Sequence, residues 1–92
     1  MKSVIQTKKQ CFVCGTTSNL HLHHCWHGTA NRKKADEYGL TIYLCADHHT
    51  GSHGVHFNKA LDEGLKMLAQ SKFEELYGSR EDFIREFGKS VL

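Results

Sequence analysis

Apolar and polar residues alternate over Leu20-His21-Leu22-His23-His24, the period of a half-buried strand, which predicts Leu20 and Leu22 on the inner face. A second run, Leu40-Thr41-Ile42-Tyr43-Leu44, is rich in β-branched and aromatic residues and predicts a second strand. The segment between them, HGTANRKKADEYG, is polar and carries two glycines, so it reads as a loop with at most a helical turn near Lys34 to Tyr38. From Phe57 the period becomes helical: Phe57, Leu61, Leu65 and Leu68 share a face, Asn58 stands where an N-cap belongs, and Gly64 weakens the helix only slightly. Phe73, Leu76 and Tyr77 predict another turn or two ended by Gly78. Ser79 then caps a last helix, REDFIREF, with Phe83, Ile84 and Phe87 inward and Gly88 closing it. Ahead of the first strand, CFVCGTTS reads as a tight knuckle closed by Gly15. The order is knuckle, strand, loop, strand, helices, an α+β arrangement.

Length changes this picture first. Ninety-two residues make a single small domain whose core needs a staple to be more than marginally stable. It divides into an N-terminal segment (1–10), a Cys- and His-rich part (11–57) and a helical part (58–92). With 39% hydrophobic and 24% charged residues the chain is globular rather than disordered, and it contains no repeat. The opening MKSVIQTKKQ has no apolar run of signal-peptide length and no later stretch is long enough to span a bilayer, so the expectation is a soluble, cytoplasmic protein. In a reducing compartment four cysteines read as metal ligands or free thiols rather than disulfides. A net charge of +2 is too mild to identify a polyanionic partner, and the local clusters Lys8-Lys9 and Arg32-Lys33-Lys34 say more.

Candidate chemistry is concentrated in two stretches, NLHLHHC and CADHHTGSHGVH, which hold seven of the eight histidines. Cys11-x-x-Cys14 and Cys45-x-x-His48 are two matched knuckles of the kind that surround one tetrahedral Zn²⁺, each presenting both its ligands from one tight turn. Cys25 has no knuckle partner and reads as a packing residue. Six histidines remain in these stretches: His21, His23, His24, His49, His53 and His56. Neutral imidazole is both a common transition-metal ligand and a natural base near neutral pH, so this surplus fits a site needing both.

The ordered set of C-x-x-C, a strand ending in His-His, and LTIYLCADHH followed by a further histidine resembles the HNH (ββα-metal) endonucleases. HHCWHGTANRKKADEYGLTIYLCADHHTGSHGVHFNKALD and the closing GSREDFIREFGKSVL are similar, more narrowly, to the phage recombination enhancement function, RecA-dependent nuclease family. The resemblance implies a zinc-stabilised ββα-metal, treble-clef-type core followed by C-terminal helices. It implies His24 as general base and a catalytic divalent metal, Mg²⁺, Mn²⁺ or Zn²⁺, on His23, His49 and His56, with His53 as the alternate to His56. Two departures accompany it. Tyr38-Gly39-Leu40-Thr41 stands where the family's middle asparagine belongs, and strict strand alternation separates His23 from His24 unless the strand ends or bulges there, which makes His21 and His23 the rival pair.

By the same resemblance the reaction is hydrolysis of a DNA phosphodiester to 5′-phosphate and 3′-hydroxyl ends, in a phage or prophage protein acting in a bacterial host with a RecA-type recombinase filament as partner. Arg32, Lys33 and Lys34, close to the expected site, are the candidate DNA contacts, and Trp26, Tyr43 and Phe12 read as core. The competing reading is a zinc-stabilised module that binds nucleic acid or protein without catalysis. Such a module needs the two knuckles and has no use for His23, His24 and His49 together.

Overall fold

The computed structural model describes residues 2–92. Strands β1 (Leu20–His24) and β2 (Thr41–Cys45) pair antiparallel, with Leu20 opposite Cys45 and His24 opposite Thr41. Helix α1 (Thr29–Tyr38) joins them, and α2 (Ala46–His49), α3 (Lys59–Leu76) and α4 (Arg80–Phe87) follow. Among the described residues this is a small α+β chain with one two-stranded sheet and four helices.

The linker between the strands is helical along ten residues, not the loop its polarity suggests. Ala30, Arg32, Lys33, Lys34, Ala35 and Glu37 are good helix formers, and the segment is polar because α1 buries only Ala35. Gly39 ends it in the left-handed conformation (φ 70°), its N–H reaching the carbonyls of Ala35 and Asp36. A Cβ there would lie 2.4 Å from the Lys2 carbonyl oxygen, so both the turn and the passing N-terminal segment require glycine.

β1 departs from its expected orientation at Leu22 and His23, while Leu20 packs against the core as expected. Leu22 is 45% exposed whereas His23 is 3% exposed. Residues paired across the sheet share a face, so His21 and His23 lie with Leu44 and Ile42 on the covered side, and Leu22 lies with Tyr43 on the open one. The covered side is thus half aliphatic and half imidazole.

In the helical half, Asn58 caps α3 by accepting a hydrogen bond from the Leu61 N–H. The separate turn expected around Phe73 is the continuation of α3, which runs unbroken for eighteen residues through Gly64. Phe57 precedes the cap and is solvent-exposed, as is Leu76. Ser79 and Asp82 form a reciprocal capping box at α4, and Gly88 closes that helix. Phe83 and Phe87 face inward as expected, stacked 4.6 Å apart, while Ile84 faces outward.

The core joins Leu40, Ile42 and Leu44 to Leu65, Ala69 and Phe73 of α3 and to the α4 aromatics. Cys25 is fully buried in it, and Trp26 packs on Phe83 and Phe87 at 5.2 and 5.7 Å. Phe12, expected in the core, is 41% exposed. The N-terminal segment covers the free edge of β2: the Val4 N–H donates to the Gly39 carbonyl, the Tyr43 N–H to Gln6 Oε1 and the Phe12 N–H to the Tyr43 carbonyl. Among the described residues no helix is long and apolar enough to cross a membrane.

Candidate functional site

The first knuckle is held by the Gly15 N–H on the Cys11 carbonyl and by the Cys11 N–H on the Thr16 carbonyl. Gly15, at φ 78°, supplies the left-handed turn. The second knuckle runs from the last residue of β2 into α2, and the bond from Phe12 to Tyr43 fixes the two against each other. The four donor atoms of Cys11, Cys14, Cys45 and His48 lie within 4.8 Å of one another. Cys14 Sγ is 3.9 Å from Cys45 Sγ, and His48 Nδ1 is 3.2 Å from Cys45 Sγ and 3.8 Å from Cys11 Sγ. A tetrahedral zinc with its usual bond lengths separates S from S by about 3.8 Å and S from N by about 3.5 Å, so the spacing fits that ion. Burial raises the Cys11 thiol, but backbone hydrogen bonds at Cys14, Cys45 and Val13 outweigh it and lower it to about 6, which favours the thiolate that binds metal. This Cys₃His group can hold a structural metal ion. Cys25 stands apart, its thiol pushed up to about 12 by burial in the core.

The remaining histidines assemble around a second centre. A cavity of about 270 Å³ is lined by Leu22, His23, His24, His27, Arg32, His49 and His56. His23 enters from the covered face of β1. His24, at the strand's last position, enters with Leu22 from the other face, so the cavity straddles the outer edge of β1 and takes both histidines without a bulge. His49 comes from α2, and its ring lies 5.4 Å from His23 and 5.5 Å from His56. The chain then turns sharply at Gly51 and Gly54, with the Val55 N–H bonded to the His48 carbonyl, and this return carries His56 back to the cavity. His53 points elsewhere: it is 74% exposed and its Nδ1 pairs with the Asp47 carboxylate at 3.1 Å. His21 shares the face of His23, as the rival pairing requires, but its Nδ1 is spent on His49 Nδ1 at 3.0 Å.

Burial and neighbouring imidazoles favour the neutral form of His23 and His49. Burial, and then the neighbouring His49 and His27, lower His23 to about 4, and its Nε2 is buried with no hydrogen-bond partner among the described residues. His49 is lowered by burial and then by His21 and His56. His24 Nε2 stands 3.6 Å from Asp36 Oδ1 of α1. Of the three basic residues, Arg32 lines the cavity and Lys33 lines an adjoining shallow one with His24 and Asp36. Lys34, expected to be free for DNA, instead donates to the Glu86 carbonyl of α4 at 2.6 Å and sits 3.7 Å from the Glu86 carboxylate.

Two residues escaped the sequence reading. His27 lines the cavity and bonds Asp62 of α3 at 2.6 Å, and with His23 they form a second group whose donor atoms lie within 4.8 Å. Burial opposes the ionisation of Asp62, but His27 and Lys66 outweigh it and hold the carboxyl below its usual range. His27 lay just outside the spacing pattern, and Asp62 looked like any helix-surface carboxylate.

No family model, curated protein or solved structure matches this chain.

Proposed function

We propose that the chain is a metal-dependent DNA endonuclease of the HNH type. The observation that supports this reading is the convergence of five histidines and Arg32 on one cavity, apart from the Cys₃His group that already accounts for a structural ion. His24 is the base that takes a proton from the attacking water, and Asp36, 3.6 Å from its Nε2, steadies the imidazolium that results. The water oxygen bonds to phosphorus, the bond to the 3′-oxygen breaks, and that oxygen leaves with a solvent proton as a 3′-hydroxyl. The Arg32 guanidinium binds a non-bridging oxygen, and Lys33 holds the neighbouring backbone. A divalent cation, Mg²⁺, Mn²⁺ or Zn²⁺, held in this cavity with His23 among its ligands, would supply charge stabilisation at the phosphate and the leaving oxygen. The orphaned His23 Nε2 and the lowering of His23 and His49 suit such a ligand role. The phage setting and a RecA-type recombinase filament as partner rest on the sequence resemblance.

A binding module without catalysis finds support in a different feature. A groove of about 690 Å³ on the open side of the sheet is lined by Lys2, Lys8, Lys9, Leu22 and Tyr43, a surface suited to a phosphate backbone whether or not it is cut. Cleavage of plasmid, single-stranded and recombinase-coated DNA by wild type and His24→Ala, each with one zinc bound, decides between the two. Cutting that disappears in the variant is the expected result. Binding without cutting on every substrate sinks the nuclease reading.

A further inference from the structure

We infer that His23, His27 and Asp62 form a divalent-cation site in which α3 supplies a carboxylate ligand. The three come from separate parts of the chain, β1, the turn before α1 and the first turn of α3, yet their donor atoms lie within 4.8 Å of one another. The usual roles of a carboxylate near a helix start do not account for Asp62. Asn58 is the cap, and the ion pair of Asp62 with Lys66 on the same helix uses Oδ2 at 3.2 Å, leaving Oδ1 directed at His27.

A plain hydrogen bond between His27 and Asp62 explains those two residues but not the third. His23 is 3% exposed, and its Nε2 has no partner among the described residues, an arrangement that is costly for a polar atom in the interior. A cation shared with His27 and Asp62 gives this buried imidazole a ligand role. Burial falls from His23 through Asp62 to His27, whose side chain is 42% exposed, so the group is closed on the core side and open toward solvent. His27 also lines a second cavity of about 390 Å³ with Val55, His56, Phe57, Lys59 and Asp62, which gives an ion a route in from the α3 side.

Two histidines and one carboxylate with open positions suit Mn²⁺, Fe²⁺ or Zn²⁺, and the oxygen ligand makes the site harder than an all-imidazole one. The inference rests on reading the cavity as cation-dependent, but not on cleavage. It shifts the ion toward α3, shares His23 with the set named above, and leaves His49 and His56 to face water and phosphate.

The test is Mn²⁺ binding to the zinc-replete full chain, read from the loss of the free-ion electron paramagnetic resonance signal. Wild type, Asp62→Asn, His27→Gln, His49→Gln and Lys66→Met are compared, with zinc content and circular dichroism measured on each. Wild type is expected to bind one Mn²⁺. Asp62→Asn and His27→Gln should weaken it about tenfold or more, the usual effect of losing a ligand or its partner. Lys66→Met should tighten it, because the competing ammonium is gone, and this variant remains informative if Asp62→Asn does not fold. Absence of Mn²⁺ binding in wild type overturns the site. So does a loss in His49→Gln that matches or exceeds that of Asp62→Asn, with Lys66→Met unchanged. Cleavage measured on the same samples keeps the two ideas apart: Mn²⁺ bound without cutting sinks the nuclease and leaves the site standing.

Discussion

His23 carries opposing demands. It belongs to the covered face of a strand, where an aliphatic side chain would pack without penalty, and it is kept as a neutral imidazole with one nitrogen unsatisfied. Its folded value of about 4 lies below the ordinary histidine value of about 6.5, so between those limits the unfolded chain binds the extra proton. Stability contributed by neutral His23 is therefore complete above about pH 6.5 and is lost as pH falls toward 4, by at most about 1.4 kcal/mol per unit. Urea unfolding of wild type and His23→Gln at several pH values isolates this, since acid loss from the zinc group is common to both. The variant's profile should be flatter, and parallel profiles would contradict a neutral buried His23. Gly54 makes a second residue-scale case. A Cβ there would lie 2.5 Å from the His49 carbonyl oxygen and 2.7 Å from its carbon, both backbone atoms that cannot step aside. Gly54→Ala should therefore open the return that carries His56 to the cavity, lowering cleavage and melting temperature together. A variant indistinguishable from wild type in both would show that the tight return is not required.

At the scale of elements, the helices of the C-terminal half are stabilised by caps and one buried stripe each. Ser79 closes the capping box of α4, so Ser79→Ala should lower stability by about 1 kcal/mol without touching cleavage, as chemical denaturation and the DNA assay would register. A change below a few tenths would mean that α4 is held by Phe83 and Phe87 alone. Much of this half was legible in advance: Asn58, Ser79, Gly88 and the Phe83–Phe87 spacing are local signals, and local signals survive folding. The front half was less legible for two physical reasons. In Leu20–His24 the period was right and Leu20 packs against the core, but Leu22 and His23 are reversed, because alternation cannot say which of two interleaved sets goes inside. In Thr29–Tyr38 the apolar stripe that marks a helix is missing, because α1 is anchored by little more than Ala35, Tyr38 and the Lys34 contact to α4. The knuckle spacing identified the Cys₃His group directly. The reach of Asp62 to His27 across thirty-five positions could not be read from any motif.

For the whole molecule, one joint does most of the positioning. The Cys₃His group ties the N-terminal knuckle to the end of β2 and the start of α2, and His49 follows His48 directly, so the order of the cavity depends on the metal group next to it. In a chain this small, a structural zinc contributes a binding free energy on the order of the folding energy itself. The front half is thus organised around a group able to hold a metal, the back half around an aromatic core of Trp26, Phe73, Phe83 and Phe87, and the histidine cavity lies where β1, α1, α2 and the return to His56 meet. The Cys₃His group and the histidine cavity are separate centres. Zinc counted per chain by native mass spectrometry, with DNA cleavage measured on the same samples, tests it in wild type and in the combined variant His23→Ala, His49→Ala, His56→Ala. The variant should keep one tightly held zinc and its circular dichroism spectrum while cutting no DNA. A variant that loses the tight zinc, or one that still cuts at the wild-type rate, would contradict it.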